Sequence, residues 1–215
     1  MKFTTAIFDL DGTITDSAPG ILKSLCYMME KHRIPVLPEE KLRLFIGPPL
    51  RESLPEVFGF GEEKIERMIE TYQEYYSDKG IFECTVFEGM PEALQKLKDS
   101  GVRILMATAK PEKFARMVAE HFDLAKYFDF MGGACMDESR SNKHEVIEYV
   151  LGSCGITDRT GIVMVGDRAH DMTGAQKSGL HTLGVAYGYG SAEELRGAGA
   201  DMLAASPQEI PGLIL

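Results

Sequence analysis

Short apolar runs rich in β-favouring residues recur along the chain. "FTTAIFDL" (3–10) has the near-continuous apolar core of a strand buried on both faces. "VRILMATA" (102–109), "GIVMVGD" (161–167) and "LHTLGVA" (180–186) follow the same pattern, and "FDFMGG" (128–133) and "ADMLAA" (200–205) are weaker versions of it. Segments with apolar residues at helical spacing separate them: "PEALQKLKDSG", opened by Pro91 and stopped by Gly101, then "KPEKFARMVAEHFDL", "NKHEVIEYVLGSCG" and "AHDMTGAQKSG". From residue 85 onward helix and strand alternate, which predicts an α/β fold: a doubly wound, mostly parallel sheet with helices on both faces.

Residues 17–80 break this rhythm. "ILKSLCYMMEKHR", "PEEKLRLFI", "LRESLPEVFGF" and "EEKIERMIETYQEYYSDK" all read as helices with no strand between them. A helical insertion therefore follows the first strand. The expected division is a core of residues 1–16 and 85–215 and a small helical domain of residues 17–84 over the carboxyl end of the sheet. No internal repeat or low-complexity tract interrupts the pattern.

Composition narrows the partners. A chain of 215 residues is long enough to bury about 70% of its unfolded surface. With 33 acidic against 23 basic residues its formal charge is -10, which repels nucleic acid and anionic membrane surfaces alike. An anionic substrate would then need a metal ion or clustered donors to reverse the local field. Apolar stretches fall short of the ~20 residues of a membrane span, and Asp9 interrupts the only apolar run near the start, so neither a span nor a signal peptide is expected and the location expected is cytoplasmic. Cys26, Cys84, Cys135 and Cys154 are widely spread and read as reduced thiols.

Chemistry concentrates where an open parallel sheet binds ligands, at the carboxyl ends of its strands. The first strand ends in Asp9 and Asp11, the second in Thr108 and Lys110; the loop near residue 140 delivers Lys143, and "GDRAHD" brings Asp167 and Asp171. Carboxylates converging in one crevice repel unless a cation neutralises them, and an oxygen-rich set suits Mg²⁺ together with substrate phosphate. Lys143, Thr108 and backbone amides are candidates for the remaining phosphate oxygens. This is equipment for phosphoryl transfer. A carboxylate fixed at a strand end, as Asp9 is, can attack phosphorus to give an aspartyl phosphate. Asp11 can protonate the leaving alcohol and later take a proton from water. Gly12 permits a tight turn and close backbone approach, and Thr13 can bond the loop with its hydroxyl.

Blander uses exist for each residue. Asp-x-Asp-Gly also occurs in calcium loops and ordinary turns. Lys143 could be a solvated charge at a helix start, Thr108 could satisfy strand-end backbone, and Asp167 could cap the following helix. Arg51, after "IGPPL", either reaches an anionic substrate group or lies at the surface. His170 is a poor match for Mg²⁺ and reads as surface or core. Met28, Met29, Tyr72 and Tyr75 read as helix packing.

Taken in order, "FDLDGT", "ATAK", Lys143 and "VGDRAHD" resemble the four motifs of the haloacid dehalogenase superfamily, across the whole chain. The insertion resembles that family's C1 cap, "GVAYGYGSAEELRGAGAD" resembles its phosphoglycolate phosphatase branch, and "GDRAHD" with "FIGPPLRESL" resembles a 5′-nucleotidase-like subgroup. The resemblance implies Asp9 as nucleophile and metal ligand and Asp11 as acid/base with its carbonyl on the metal. It further implies Thr108 and Lys143 on phosphate, Asp167 as third metal contact and Asp171 orienting the site. In "ATAK" Ala109 stands where relatives often carry asparagine, which removes a possible substrate hydrogen bond beside Lys110.

The implied function is a Mg²⁺-dependent phosphatase acting on a small phosphorylated metabolite, phosphoglycolate phosphatase-like, as a monomer or homodimer. A 5′-nucleotidase and a sugar phosphomutase are the enzymatic alternatives. A dehalogenase would have no use for the acid at Asp11. In a phospho-aspartate signalling receiver the acidic pair precedes the phosphorylated aspartate, and no helical domain interrupts the chain after strand one.

Overall fold

The computed structural model describes residues 2–47, 50–137 and 139–215. Pro48 and Pro49 of "FIGPPLRESL" lie outside the described residues. The chain divides into two compact units, Met1–Asp16 with Val86–Leu215, and Ser17–Thr85.

In chain order, the first unit begins with strand β1 (Thr5–Phe8), all four residues of which are buried, followed by the two-residue strand β2 (Thr15–Asp16). The second unit carries helices α1 (Ala18–Lys31), α2 (Glu39–Leu42), α3 (Leu50–Phe58) and α4 (Glu62–Asp78). Its interior is formed by apolar stripes such as Leu25, Met28 and Met29 of α1 and Ile65, Met68 and Tyr72 of α4. The Met and Tyr residues expected to pack are buried there, Tyr75 excepted, whose hydroxyl reaches Glu83. "PEEKLRLFI" forms only the single turn of α2 followed by a 3₁₀ turn, less helix than its pattern suggests.

β3 (Thr85–Val86) pairs with β2, a two-residue ladder too short to leave a periodic signal. There follow α5 (Met90–Asp99), β4 (Arg103–Pro111), α6 (Glu112–His121), β5 (Phe130–Ala134), α7 (Lys143–Ser153), β6 (Ile162–Gly166), α8 (Ala169–Lys177), β7 (His181–Val185), α9 (Ala192–Gly197), β8 (Met202–Ala204) and α10 (Ile210–Ile214). Six strands form one parallel sheet in the order β5-β4-β1-β6-β7-β8, so the doubly wound reading of the alternation holds. On one face Ile7, Leu105, Ile162 and Met164 pack against Val146, Ile147, Val150 and Leu151 of α7. The chain winds outward from β1 through β4 to β5, then returns to β6 on the other side of β1. The strand order thus reverses beside β1, the point at which open sheets of this kind bind ligands at their carboxyl edge. No described helix is long and apolar enough to cross a membrane.

Candidate active site

Asp9 follows β1 directly, and its amide donates to Val165 O of β6 at 2.9 Å, so its backbone is pinned at the switch point. Its carboxylate is buried. Lys143, also buried, places Nζ 2.8 Å from Asp9 Oδ1, 2.9 Å from Asp171 Oδ1 and 2.9 Å from the carbonyl of Ala107. Its hydrogen bond goes to Ala107 O, and its contacts to the carboxylates are ion pairs: neither Asp9 Oδ1 nor Asp171 Oδ1 accepts an aligned hydrogen bond among the described residues.

Local sequence explains why Lys143 arrives there. Asn142 Oδ1 accepts from the Glu145 amide at 3.0 Å, while Glu145 Oε2 accepts from the amides of Ser141 and Asn142, a reciprocal cap that fixes the first turn of α7 with Lys143 at its start. Burial disfavours the ammonium, but Asp171 and Asp9 together outweigh it and hold the lysine above its ordinary pKa. Burial, reinforced by the charge of Asp171, raises Asp9 despite Lys143. Burial pushes Asp171 up, but Lys143, His170 and the Arg168 amide together outweigh it and hold the carboxyl below the usual carboxylate range.

Asp167 directly follows β6 and is fully buried. It accepts from Thr13 Oγ1 at 3.3 Å and from the Tyr189 amide at 2.8 Å. The first amides of α8 are capped instead by Asp171, through Arg168 N at 3.0 Å, and by Glu194 of α9, through Ala169 N at 2.9 Å. Burial first, then the charges of Asp171 and Asp9, push Asp167 well above its ordinary pKa.

Asp11 pairs with a different lysine. Lys110 Nζ is 3.0 Å from each of its carboxylate oxygens. Thr108, almost fully buried at the end of β4, accepts from the Lys110 amide at 3.2 Å. Arg51 lies in the helical unit, where it pairs with Glu66 of α4. His170 is partly exposed, with Nε2 3.8 Å from Asp171 Oδ1.

Three contributors carried no sequence signal of their own. Tyr187 donates its hydroxyl to Thr13 O at 2.8 Å, and burial raises its pKa. Tyr189 binds Asp167 through its amide and Asp16 Oδ1 through its hydroxyl at 2.8 Å. Glu194 caps α8 while pairing with Arg168 Nε at 2.9 Å. All three lie after β7, the strand beside β6, so reading that strand's carboxyl end for site residues would have found the two tyrosines.

The haloacid dehalogenase-like hydrolase model matches residues 6–185. The chain belongs to that family. It is 37% identical over 196 residues to a 5′-nucleotidase from Pseudomonas aeruginosa, covering 91% of this chain and 88% of the relative. It is 38% identical over 188 residues to the tyrosine-protein kinase PtkA of Mycobacterium tuberculosis, covering 87% of this chain and 63% of the kinase. Among solved structures, a predicted phosphatase from Clostridium acetobutylicum superposes with a TM-score of 0.93 at 42% identity, covering 100% of this chain and 99% of that one.

Membership of these hydrolases raises the question of a cation, and the donor set answers it. Asp9, Asp167 and Asp171 are buried carboxylates; Lys143 pairs with Asp9 and Asp171, and Lys110 with Asp11. Burial and mutual repulsion raise Asp9 and Asp167, so ionising the whole set calls for added positive charge. Oxygen donors with this charge fit a hard divalent cation. Ligand-type atoms of Asp9, His170 and Asp171 lie within 4.8 Å of one another; Asp11 and Asp167 are not in that group. His170 is the weakest member for a hard ion, being partly exposed and a nitrogen donor.

Proposed function

We propose that this hydrolase is a Mg²⁺-dependent phosphatase of small phosphomonoesters that works through an aspartyl phosphate on Asp9. The observation that carries the reading is the Asp9 carboxylate, buried at the switch point with Oδ1 held by Lys143, which leaves Oδ2 to attack phosphorus. In this reading Asp9 Oδ2 forms the new P–O bond as the ester bond breaks, and Asp11 gives its proton to the departing alcohol oxygen. Asp11 then takes a proton from the water that cleaves the acyl phosphate, and the cycle closes. Lys143 keeps Asp9 oriented and offers positive charge to the phosphoryl oxygens, and Thr108 adds a hydroxyl donor. Mg²⁺, held by Asp9, Asp167 and the Asp11 carbonyl, would supply charge neutralisation for the phosphate, and Asp171 would orient the site through Lys143 and the start of α8. Residues 17–84 are assigned the role of a cap that selects the leaving group, with Arg51 its candidate anion contact.

The substrate class favoured is a nucleoside 5′-monophosphate, supported by the name and 37% identity of the Pseudomonas relative; phosphoglycolate is the competing substrate. The test is phosphate release from nucleoside 5′-monophosphates, phosphoglycolate and sugar phosphates, comparing kcat/KM, with Asp9→Asn as the control. The substitution is expected to lower turnover by at least about 10³-fold while leaving the thermal midpoint within a few degrees. Near-normal turnover by folded Asp9→Asn would refute the nucleophile assignment.

A further inference from the structure

Lys110 is buried, its side chain only 3% exposed, and its ammonium lies equidistant from both oxygens of Asp11, whose side chain is 22% exposed. Several features build this contact. The pairing of β4 with β5 shifts register between Thr108 and Pro111, so that the chain bulges at Lys110. Pro111 holds the residue before it in extended geometry, and Thr108 Oγ1 accepts from the Lys110 amide. Across the ladder stands Gly133, where a Cβ would lie 2.6 Å from Lys110 O and 2.7 Å from the Glu112 backbone; the bulge fits because that Cβ is missing. A buried lysine–carboxylate pair is poor value for stability, since an apolar side chain of like volume serves as well. Here the pair is made with the carboxylate of Asp11.

We propose that Lys110 is a positioning residue for Asp11: by contacting both carboxylate oxygens it fixes the rotamer that turns the carboxyl group toward the leaving-group oxygen of the substrate. The proposal rests on Asp11 being the acid of the reading above. As Asp9 Oδ2 bonds to phosphorus and the P–O bond to the alcohol breaks, the proton of Asp11 passes to that alcohol oxygen. Without the lysine, Asp11 samples other rotamers and the transfer fails when the leaving group needs a proton. A leaving group that departs as a stable anion is indifferent to it.

The experiment compares kcat/KM, which reports the step up to phosphoryl transfer, for a nucleoside 5′-monophosphate and for p-nitrophenyl phosphate, in wild type, Lys110→Met, Lys110→Arg and Asp11→Asn. Lys110→Met should lose about 10²-fold on the nucleotide, through kcat rather than KM, and at least about tenfold less on the nitrophenyl ester. Lys110→Arg, which returns a charged donor to Asp11, should regain most of the nucleotide rate. Equal losses of both variants on both esters would make Lys110 merely structural, and a loss confined to KM would make it a substrate contact; either result overturns the proposal, as does an unchanged Lys110→Met. If Asp11→Asn itself shows no leaving-group preference, the acid assignment fails and the proposal falls with it. A preference in Asp11→Asn without one in Lys110→Met removes the proposal alone.

Discussion

At the turn after β1, Gly12 adopts φ +83°, and a Cβ at that position would lie 2.2 Å from Asp167 Oδ2. The turn that follows Asp11 therefore rests on the carboxylate of β6, and a side chain there is excluded on both conformational and steric grounds. Gly12→Ala is expected to cost about 1–3 kcal/mol in stability and about 10² in kcat, because Asp9, Asp11 and Asp167 would all shift. Urea unfolding and steady-state kinetics on the same preparation check both figures. Much of this was readable in advance: an Asp-x-Asp pair closing an apolar strand, with glycine next, announces a turn that brings a ligand close. The pairing of Lys143 with both Asp9 and Asp171 was not readable, nor was the chelation of Asp11 by Lys110. The contacts of Lys143 with Asp9 and of Lys110 with Asp11 join residues roughly a hundred or more positions apart, and they depend on which strands become neighbours and on a bulge at Ala109 and Lys110 that no local pattern encodes.

Helix α8 shows how one element holds another in the site. Its first amide is capped from outside by Glu194 on α9, whose carboxylate also takes Arg168 Nε. Burial works against the charged form of Glu194, but the Ala169 amide and Arg168 outweigh it and hold its pKa below the ordinary value. A carboxylate depressed in the folded state stabilises above its unfolded pKa, about 4.3, and loses that contribution as pH falls through the folded value. Glu194→Gln should thus lower the thermal midpoint by a few degrees at pH 7, and the gap from wild type should close as the pH drops below about 4. Melting curves across that range decide it. The main elements were legible because strands buried on both faces leave unbroken apolar runs and their helices leave a 3.6-residue period. The β2–β3 ladder was not, being two residues long on each side, and α2 fell short of its pattern for want of enough packed turns.

Over the whole molecule the net charge is -10, and within it the buried carboxylates Asp9, Asp167 and Asp171 lie close enough to repel one another. A divalent cation that binds the folded state and not the unfolded one then stabilises the protein, alongside the activation proposed above. At about 100 times its dissociation constant Mg²⁺ should contribute about 2.7 kcal/mol, a rise of about 5–10 °C in melting temperature for a chain of this size. EDTA should reverse both that rise and the phosphatase activity, whereas matched ionic strength from KCl should reproduce neither. Calorimetry with and without the chelator reads the first effect, and phosphate release reads the second.

The two-residue strands β2 and β3 leave and re-enter the core side by side, so the ends of everything between Asp16 and Thr85 are already neighbours. Such a joint tolerates exchange. A lineage can swap, enlarge or delete the inserted helices without rewriting the sheet, just as a tool takes a new head on an unchanged handle. On the cap role proposed for residues 17–84, selection on what is recognised is thereby separated, at one pair of hydrogen-bonded stubs, from selection on how the bond is broken.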